Sequence, residues 1–335
     1  MISQIMLIFT AALTLALAAT PIARRLAMRT NMLDQPAQRK AHVTPTPMLG
    51  GLAIYAAVLV ALTLFGDKFY IHQVAGIIIG ASLISFLGLW DDRMPLPPWA
   101  KLIGQIIPVV VLILTGVRVS IFQLPALNIL ITILWVLFIT NAVNFLDNMD
   151  GLSAGVTAMA SAYFLLLAAL SGQYLVGALT AALLGACIGF LVYNFNPASI
   201  FMGDTGSLFL GFILAAVGIK LRFPTNIPEV TWMVPVLVLG VPILDTSMVI
   251  VSRLRRGKNP FTTPGKDHLS HRLVKMGYTR REAVLMLYLL GSIFGMIAVF
   301  VTQASLPEAT IVGIVLLLAG FAIIYYMESV QQQDA

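Results

Sequence analysis

The acidic residues of this sequence occur in small clusters at the ends of apolar stretches. Asp91 and Asp92 are adjacent in GLWDDR, Asp147 and Asp150 lie in NAVNFLDNMDGLS, and Asp204 lies in NPASIFMGDTGS. Carboxylates held close together repel one another unless a cation lies among them. A hard divalent cation with oxygen ligands is the simplest solution, and Mg²⁺ that also contacts substrate phosphates fits better than an all-protein cage. The acids therefore predict a Mg²⁺ site, with Mn²⁺ as the alternative.

A basic segment near the end of the chain could bind phosphate. RLRRGKNPFTTPGKDHLSHRLVKMGYTRRE has nine Lys or Arg residues between Arg253 and Arg281, and His268 and His271 lie three residues apart within it. Arginine is well suited to bidentate contacts with phosphate. The segment therefore predicts a clamp for a diphosphate group. Anchoring at a membrane surface is the alternative explanation for its charge.

The acids also have simpler interpretations. Asp150 and Asp204 could cap the helices that follow them, and Asp91 with Asp92 could merely end a membrane span. Asp245, in VPILDTSM, lies inside an apolar stretch and could be a hydrogen-bonded packing residue.

The composition is that of a multi-pass membrane protein. The 335 residues are 59% hydrophobic and 10% charged, with a mean hydropathy of +0.94, whereas soluble domains have about 25% charged residues. A helix needs about 20 apolar residues to cross a bilayer. Such stretches occur near residues 2–23, 48–66, 71–90, 99–116, 127–146, 152–170, 174–193, 206–220, 231–252, 283–303 and 307–327. We expect an all-α membrane protein of about eleven transmembrane helices, with ten as the alternative, in one domain over residues 1–335.

The charges predict the orientation of these spans. With the N-terminus outside, all but four of the 20 Lys and Arg residues fall on one side of the membrane. By the positive-inside rule that side is cytoplasmic. The clustered acids fall on the same side, so we expect the active site at the cytoplasmic face of a bacterial inner membrane. The net charge of +6 follows from this topology, and no nucleic-acid partner is needed to explain it.

Acids and a phosphate clamp beside lipid indicate phosphoryl transfer to a membrane-embedded acceptor, a chemistry that depends on positioning and charge neutralisation. An ion-coupled transporter is the alternative from another class. Transporter sites usually lie near the middle of the bilayer between structural repeats, whereas these acids lie at one end and no repeat is evident.

Four motifs, GLWDDR, NAVNFLDNMDGL, NFNPASIFMGDTGSLFLG and HLSHRL, occur in this order at predicted span ends. They resemble those of the polyprenyl-phosphate N-acetylhexosamine-1-phosphate transferases. The matching stretches run from RKAHVTPTPMLGG near residue 40 to HRLVKMGYTRREA near residue 283. The resemblance implies transfer of a sugar 1-phosphate from a UDP-N-acetylhexosamine to undecaprenyl phosphate, which releases UMP and begins cell-envelope polysaccharide synthesis, such as that of lipopolysaccharide or teichoic acid. The resemblance does not determine the oligomeric state, and a homodimer is one alternative.

The resemblance also assigns roles to residues. It implies Asp91 and Asp92 as the catalytic pair together with His268, and Asp204 as the metal ligand with Asn141 as a second candidate. The residues that it implies for substrate binding are Lys40, His42, Asn144, Asp147, Asp150, Asn194, Phe201, His271 and Arg272. We favour direct attack by the lipid phosphate over a covalent enzyme intermediate.

The histidine motif HLSHRL indicates which sugar the enzyme transfers. HLSHRL is closer to the His-x-His-His pattern of the branch that transfers GlcNAc-1-phosphate than to three consecutive histidines, although Ser270 stands where a histidine is expected. The resemblance therefore favours GlcNAc. The alternative is the phospho-MurNAc-pentapeptide transferase branch, which makes lipid I.

Overall fold

The structure is a computed structural model that describes residues 2–35, 45–65, 71–260, 263 and 265–332. The chain divides into two units, Met1–Leu221 and Arg222–Ala335. The expectation of one domain over residues 1–335 stays a prediction.

Among its described residues, the first unit has eight helices and one small antiparallel sheet. The helices are α1 (Ile2–Arg29), α2 (Gly50–Phe65), α3 (Ile71–Arg93), α4 (Pro98–Leu114), α5 (Pro125–Phe145), α6 (Leu152–Leu170), α7 (Tyr174–Asn194) and α8 (Gly203–Lys220). Strands β1 (Leu33–Asp34) and β2 (Thr46–Pro47) pair with Leu33 opposite Pro47.

The part of the second unit that the structure describes contains six helices. They are α9 (Pro228–Thr231), α10 (Met233–Val238), α11 (Gly240–Arg255), α12 (Leu269–Lys275), α13 (Arg280–Val301) and α14 (Leu306–Gln332). The capping box at the start of α13, in which Thr279 and Glu282 bond to each other's backbone amides, fixes where that helix begins.

The helices confirm an all-α multi-pass membrane protein. Among the described residues, eight helices are long and apolar enough to cross a membrane, or nine if a bent pair counts as one span. Two shorter apolar helices, Gly50–Leu64 and Pro98–Leu114, accompany them. Each predicted apolar stretch therefore lies on a helix or on the bent pair.

The apolar stretch predicted at residues 231–252 is not one straight helix. The helical segments Pro228–Val238 and Gly240–Arg255 meet at an angle of 76°, and Leu239 between them leaves the helical conformation. Pro242 has no amide hydrogen to donate to the carbonyl one turn earlier, and Gly240 has a low helix propensity. The hydropathy pattern contains no trace of this break because all the residues around it are apolar.

Helix α8 forms the core of the first unit. Every residue from Thr205 to Ile219 is buried, and α8 packs against α2, α3 and α5. Small residues allow the backbones to approach closely, as is usual between helices in membranes. At Gly51 a Cβ atom would overlap backbone atoms of Gly206 and Met202. The start of α8 is therefore fixed against α2.

We expect Gly51→Ala to destabilise the protein by about 1–3 kcal/mol or more, because the added methyl group meets backbone atoms that cannot rotate away. The measurement is the thermal midpoint in detergent by size-exclusion chromatography. Gly320→Ala is the control, since its Cβ would lie 3.9 Å from the nearest atom, Leu244 Cδ1. An equal midpoint for the two variants would contradict the close approach of α2 and α8.

Candidate active site

Four helix ends meet in the first unit and bring predicted motifs together. The segment MPLPP follows α3 and leads directly into α4. Proline cannot continue a helix but suits its first turn, so this segment turns the chain sharply. Asp91 at the end of α3, Lys101 in α4, Asn144 in α5 and Asp204 in α8 thereby become neighbours. We call these four residues the acidic cluster.

The Asp92 carboxylate holds the first turn of α8. Its Oδ1 accepts a hydrogen bond from the Asp204 amide at 2.7 Å, and its Oδ2 accepts from the Thr205 amide at 3.0 Å and the Thr205 hydroxyl at 2.6 Å. The first amides of a helix have no partner within it and stabilise an anion. Gly203, with φ of +66°, leaves room, since a Cβ there would lie 2.6 Å from Asp92 Oδ2. Asp92 therefore ties α3 to α8, and its implied catalytic role stays a prediction.

Lys101, which belongs to none of the four sequence motifs, lies at the centre of the acidic cluster. Its Nζ is 3.1 Å from Asp91 Oδ2 and 3.4 Å from Asn144 Oδ1, and it also pairs with Asp204. The ammonium therefore reduces the repulsion between the two carboxylates. Its signal in the sequence is a single charge in the otherwise uncharged helix α4, because ionisable groups near hydrocarbon are usually retained for function.

Hydrogen bonds orient the remaining oxygen atoms of this cluster. Asn144 Nδ2 donates to Asp204 Oδ1 at 2.7 Å and to Ser207 Oγ at 2.8 Å. The Leu96 amide donates to Asp91 Oδ1 at 2.6 Å. Each carboxylate thus has one oxygen held by a neutral donor and the other directed at Lys101.

This donor set suits a divalent cation. Asp91, Asp204 and Asn144 direct oxygen atoms at one positively charged group, and oxygen is the ligand that Mg²⁺ prefers. Within the described residues, no group of three or more acidic, histidine or cysteine side chains could hold a metal alone. A Mg²⁺ ion would therefore need water and substrate phosphates as further ligands, as is common for this ion.

Two predicted substrate-binding residues join neighbouring loops. Asp150 Oδ2 accepts hydrogen bonds from the Asn196 side chain at 2.9 Å and from the Ala198 amide at 3.0 Å. Asn194, which is buried, accepts from the Gly151 amide at 3.1 Å. These bonds connect the loop after α5 with the loop before α8. The implied contacts of both residues with substrate stay predictions.

Two further predicted residues also have partners within the protein. Asn141 forms a pair of amide hydrogen bonds with Gln105, at 2.6 Å and 3.2 Å. The Phe201 amide donates to the Pro47 carbonyl at 2.8 Å, and its carbonyl accepts from the Gly50 amide at 2.9 Å. Among the described residues, Asn141 has no hydrogen bond to a residue of the acidic cluster, so its role as a metal ligand stays a prediction. Lys40 and His42 lie outside the described residues.

Asp147 has an unusual electrostatic environment. Burial, with the carboxylates of Asp204, Asp92 and Asp150 nearby, raises the pKa of Asp147 from 3.8 to about 8. Among the described residues its carboxylate has no hydrogen-bond or ion-pair partner. Asp147 therefore favours its neutral form at neutral pH, and a cation bound at the cluster would favour its ionisation.

In the second unit, Asp245 orients His268. Asp245 Oδ2 lies 2.7 Å from His268 Nδ1, and Asp245 Oδ1 accepts a hydrogen bond from the Leu269 amide at 2.7 Å. Both side chains are buried. The interpretation of Asp245 as a hydrogen-bonded packing residue is confirmed for its hydrogen bonds. Its carboxylate fixes both the imidazole and the first turn of α12.

Arg272 holds the histidine segment in place. Its guanidinium donates to the Asp267 carbonyl at 2.9 Å, the Met327 carbonyl at 2.7 Å, Ser252 Oγ at 2.8 Å and Glu328 Oε1 at 2.5 Å. Arg272 is only 2% exposed. Four of its five N–H donors are used within the unit, so its implied contact with substrate stays a prediction.

Asp267 accepts from two more arginines of the basic segment. Arg253 Nε lies 3.2 Å from Asp267 Oδ2, and Arg256 Nη2 lies 2.6 Å from Oδ1. Burial opposes ionisation, but the hydrogen bonds from Arg256 and Arg253 outweigh it and lower the pKa of Asp267. Part of the positive charge in this segment therefore shapes the protein itself, and the phosphate clamp stays a prediction.

His271 is neutral near pH 7 in this structure. Burial, together with positive charge at His268 and Lys266, lowers the pKa of His271 to about 4. An anionic ligand would favour its protonated form. His271 can therefore donate a charge-assisted hydrogen bond only when a bound anionic ligand stabilises its protonated form.

Two tryptophans mark the membrane level of the acidic cluster. Trp90 directly precedes Asp91 and is 61% exposed, and Trp99 lies two residues before Lys101 and is 68% exposed. Exposed tryptophans are enriched at the boundary between hydrocarbon and water. The acidic cluster therefore lies at the membrane interface.

The fold and the acidic cluster define a multi-pass membrane protein with a charged interfacial site suited to phosphate groups. The model of glycosyl transferase family 4 matches residues 74–222, which include the whole cluster. A probable undecaprenyl-phosphate N-acetylglucosaminyl 1-phosphate transferase of Bacillus subtilis is 35% identical over 312 residues, covering 90% of this chain and 86% of the relative. The chain belongs to glycosyl transferase family 4.

Other relatives agree with this assignment. A decaprenyl-phosphate N-acetylglucosaminephosphotransferase of Mycobacterium leprae is 36% identical over 307 residues, covering 81% of this chain and 77% of the relative. A phospho-N-acetylmuramoyl-pentapeptide-transferase of Bacillus cytotoxicus is 28% identical over 311 residues, covering 84% and 91%. The resemblance drawn from the motifs is confirmed, and the transporter alternative has no support.

We expect Lys101→Met to lower the free energy of unfolding by about 1–3 kcal/mol, because it leaves Asp91 and Asp204 facing each other without a cation. Loss of one partner from a fully buried pair costs about 3–5 kcal/mol, and these side chains are 14–25% exposed. Mg²⁺ should restore part of the lost thermal stability, since binding to the folded state stabilises it.

The measurement is the thermal midpoint with and without Mg²⁺ in detergent. Lys220→Met is the matched control, because Lys220 lies at the other end of α8 and pairs with the neutral Gln73. If Mg²⁺ raised the midpoints of both variants equally, the cation would not be acting at the acidic cluster.

The pKa of His271 predicts how stability depends on pH. The unfolded chain takes up a proton at His271 near pH 6.5, whereas the folded protein does so only near pH 4. Stability is therefore lost as pH falls through this window, by about 1–2 kcal/mol at pH 5. His271→Gln should reduce the decline in thermal midpoint between pH 7 and pH 5.

His72→Gln is the control, since His72 is exposed at the start of α3. An unchanged pH dependence in His271→Gln would show that the histidine is not held in its neutral form.

Proposed function

We propose that the chain transfers GlcNAc-1-phosphate from UDP-GlcNAc to undecaprenyl phosphate, forming undecaprenyl-diphosphate-GlcNAc and UMP. The observation that carries the proposal is the acidic cluster at the membrane interface, where a lipid phosphate and a water-soluble nucleotide can meet. The relatives named for transfer to undecaprenyl and decaprenyl phosphate support this acceptor.

The reaction is a phosphoryl transfer. An oxygen of the lipid phosphate forms a bond to the phosphorus that bears the sugar, and the bond from that phosphorus to the bridging oxygen breaks. The bridging oxygen leaves with UMP. The lipid phosphate is already anionic near neutral pH, so direct attack needs little help from a base.

The residues of the cluster would bind and orient these groups. Lys101 would move from the carboxylates to phosphate oxygens and neutralise their charge. Asp204, Asp91 and Asn144 would hold Mg²⁺, with Mn²⁺ as the alternative. The ion, when bound, would neutralise and align the phosphate oxygens. Asp92 would keep the start of α8 in register with α3.

GlcNAc is favoured over the MurNAc-pentapeptide on two grounds. The relatives at 35% and 36% identity are named for N-acetylglucosamine, and the pentapeptide transferase is 28% identical. Position 270 is a serine, so HLSHRL has two imidazoles, at His268 and His271, and not three consecutive histidines. We also propose the bacterial inner membrane as the location, with the cluster at the cytoplasmic face, on the basis of the Lys and Arg distribution.

The test is UMP release by the protein in vesicles that contain undecaprenyl phosphate. UDP-GlcNAc, UDP-GalNAc and UDP-MurNAc-pentapeptide are supplied in parallel, with Mg²⁺, with Mn²⁺ or after chelation. We expect release with UDP-GlcNAc that stops on chelation. Asp204→Asn should reduce the rate about 100-fold or more, since it removes a charged group beside the transferred phosphate.

Preference for the pentapeptide substrate would refute the sugar assignment. Undiminished turnover after chelation would refute the metal. Absence of UMP with all three donors would refute the proposed reaction.

A further inference from the structure

A pair of amide side chains joins α4 to α5 one helical turn away from the acidic cluster. Asn141 Nδ2 donates to Gln105 Oε1 at 2.6 Å, and Gln105 Nε2 donates to Asn141 Oδ1 at 3.2 Å. Asn141 Nδ2 also donates to the Leu137 carbonyl at 2.8 Å, which fixes the orientation of its amide. Gln105 is fully buried, and it belongs to none of the four sequence motifs. The pair is therefore a directional contact between two helices.

The amide pair and the contact of Lys101 with Asn144 succeed each other along the same two helices. Along α4 the contacts run from Lys101 to Gln105, and along α5 they run from Asn144 back to Asn141. This order is that of antiparallel helices. Residues three or four apart share a helix face, and four residues span about 6 Å. The pair thus fixes the rotation of α4 about its axis one turn from the Lys101 ammonium.

Helix α4 needs such a contact because its own hydrogen bonds are incomplete at this place. Pro108 has no amide hydrogen for the Gly104 carbonyl one turn earlier, and Gly104 has a low helix propensity. Lys101 lies in the part of α4 that precedes this gap. A change of one residue in register would rotate Lys101 by about 100°. That rotation would remove its Nζ from Asp91 Oδ2, which now lies 3.1 Å away.

The position that the pair imposes matters more than its effect on stability. Hydrogen bonds between helices in membranes contribute little net stability, whereas polar side chains near hydrocarbon are usually retained for function. We propose that Gln105 is a positioning residue, which through Asn141 holds the start of α4 so that the Lys101 ammonium faces the carboxylates of the acidic cluster. The inference rests on the proposed function, in which Lys101 moves to the phosphate oxygens. Gln105 acts through Lys101 and needs no contact with substrate.

Replacement of both amides by apolar side chains tests the pair without leaving an unsatisfied buried group, a change that costs little stability. Gln105→Met combined with Asn141→Leu should lower kcat about 10- to 100-fold, because a shift of about 1 Å in a reacting group has an effect of this size. The KM for UDP-GlcNAc should change less than about 3-fold, since Lys101 acts on charge that develops in the transition state.

Thr132→Val is the matched control. Thr132 is a buried residue of α5 whose hydroxyl accepts a hydrogen bond from the Val119 amide at 2.9 Å. It lies about three helical turns from Asn144. The substitution removes a buried polar contact of the same helix and should leave kcat at the wild-type value.

Thermal midpoints in detergent report the position of Lys101 without turnover. If the amide pair holds Lys101 in its ion pairs, Lys101→Met should lower the midpoint about half as much, or less, in the apolar double variant as in the wild type, because residues that act through one another are not additive. Lys220→Met, at the other end of α8, should shift the midpoint equally in both proteins.

Exchange of the two amides separates the pair from its single members. Gln105→Asn alone shortens the side chain and should lower kcat, and Asn141→Gln added to it should restore most of the lost rate. Both variants retain two amides, so they test the inference even if the apolar double variant does not fold.

Unchanged kcat in the apolar double variant, or an equal loss of kcat in Thr132→Val, would overturn the inference. Additive midpoint shifts, or no recovery of kcat on exchange, would also overturn it. Wild-type protein that releases no UMP with any donor, but in which Lys101→Met and the amide substitutions are not additive in midpoint, would retain the positioning role and refute the proposed reaction.

Discussion

The carboxylate of Asp92 at the start of α8 determines the geometry of the acidic cluster. Helix ends near hydrocarbon have little water to satisfy their first amides, and an unsatisfied amide there is costly. Asp92 supplies the acceptor, and one of the amides that it binds belongs to Asp204. The backbone of Asp204 is thereby fixed to α3, while its side chain is directed at Lys101. The two adjacent carboxylates thus have different tasks, since Asp92 joins two helices and Asp91 faces the cation.

Charge balance is the second constraint on this site. Lys101 carries one positive charge against the two carboxylates of Asp91 and Asp204. Among the described residues the neighbouring Asp147 has no cation as a partner, and its pKa rises to about 8. A diphosphate would add further negative charge to the same region. The cluster can accept such a ligand only with additional positive charge, and oxygen ligands at the interface make a divalent cation the natural source.

The second unit uses buried charge to fix one segment. Asp245 holds His268, while Glu328 and Asp267 accept hydrogen bonds from Arg272, Arg253 and Arg256. Buried ion pairs contribute little net stability because the desolvation penalty offsets their attraction. Their effect here is on conformation, since the imidazole of His268 and the first turn of α12 both depend on one carboxylate.

The sequence by itself determined the membrane class, the positions of the apolar helices and the family. Hydrocarbon thickness constrains the length of each apolar stretch, and that constraint acts along the chain. The sequence also indicated that Asp91, Asn144 and Asp204 would lie at the ends of spans, on one side of the membrane. Other features depend on neighbours far away in the chain. The division of roles between Asp91 and Asp92, the central position of Lys101 and the internal hydrogen bonds of Arg272 were decided by the tertiary structure. The break at Leu239 was also decided there, because hydropathy does not distinguish a bent apolar segment from a straight one. A charge near hydrocarbon predicts that a partner exists, but only packing determines which residue that partner is.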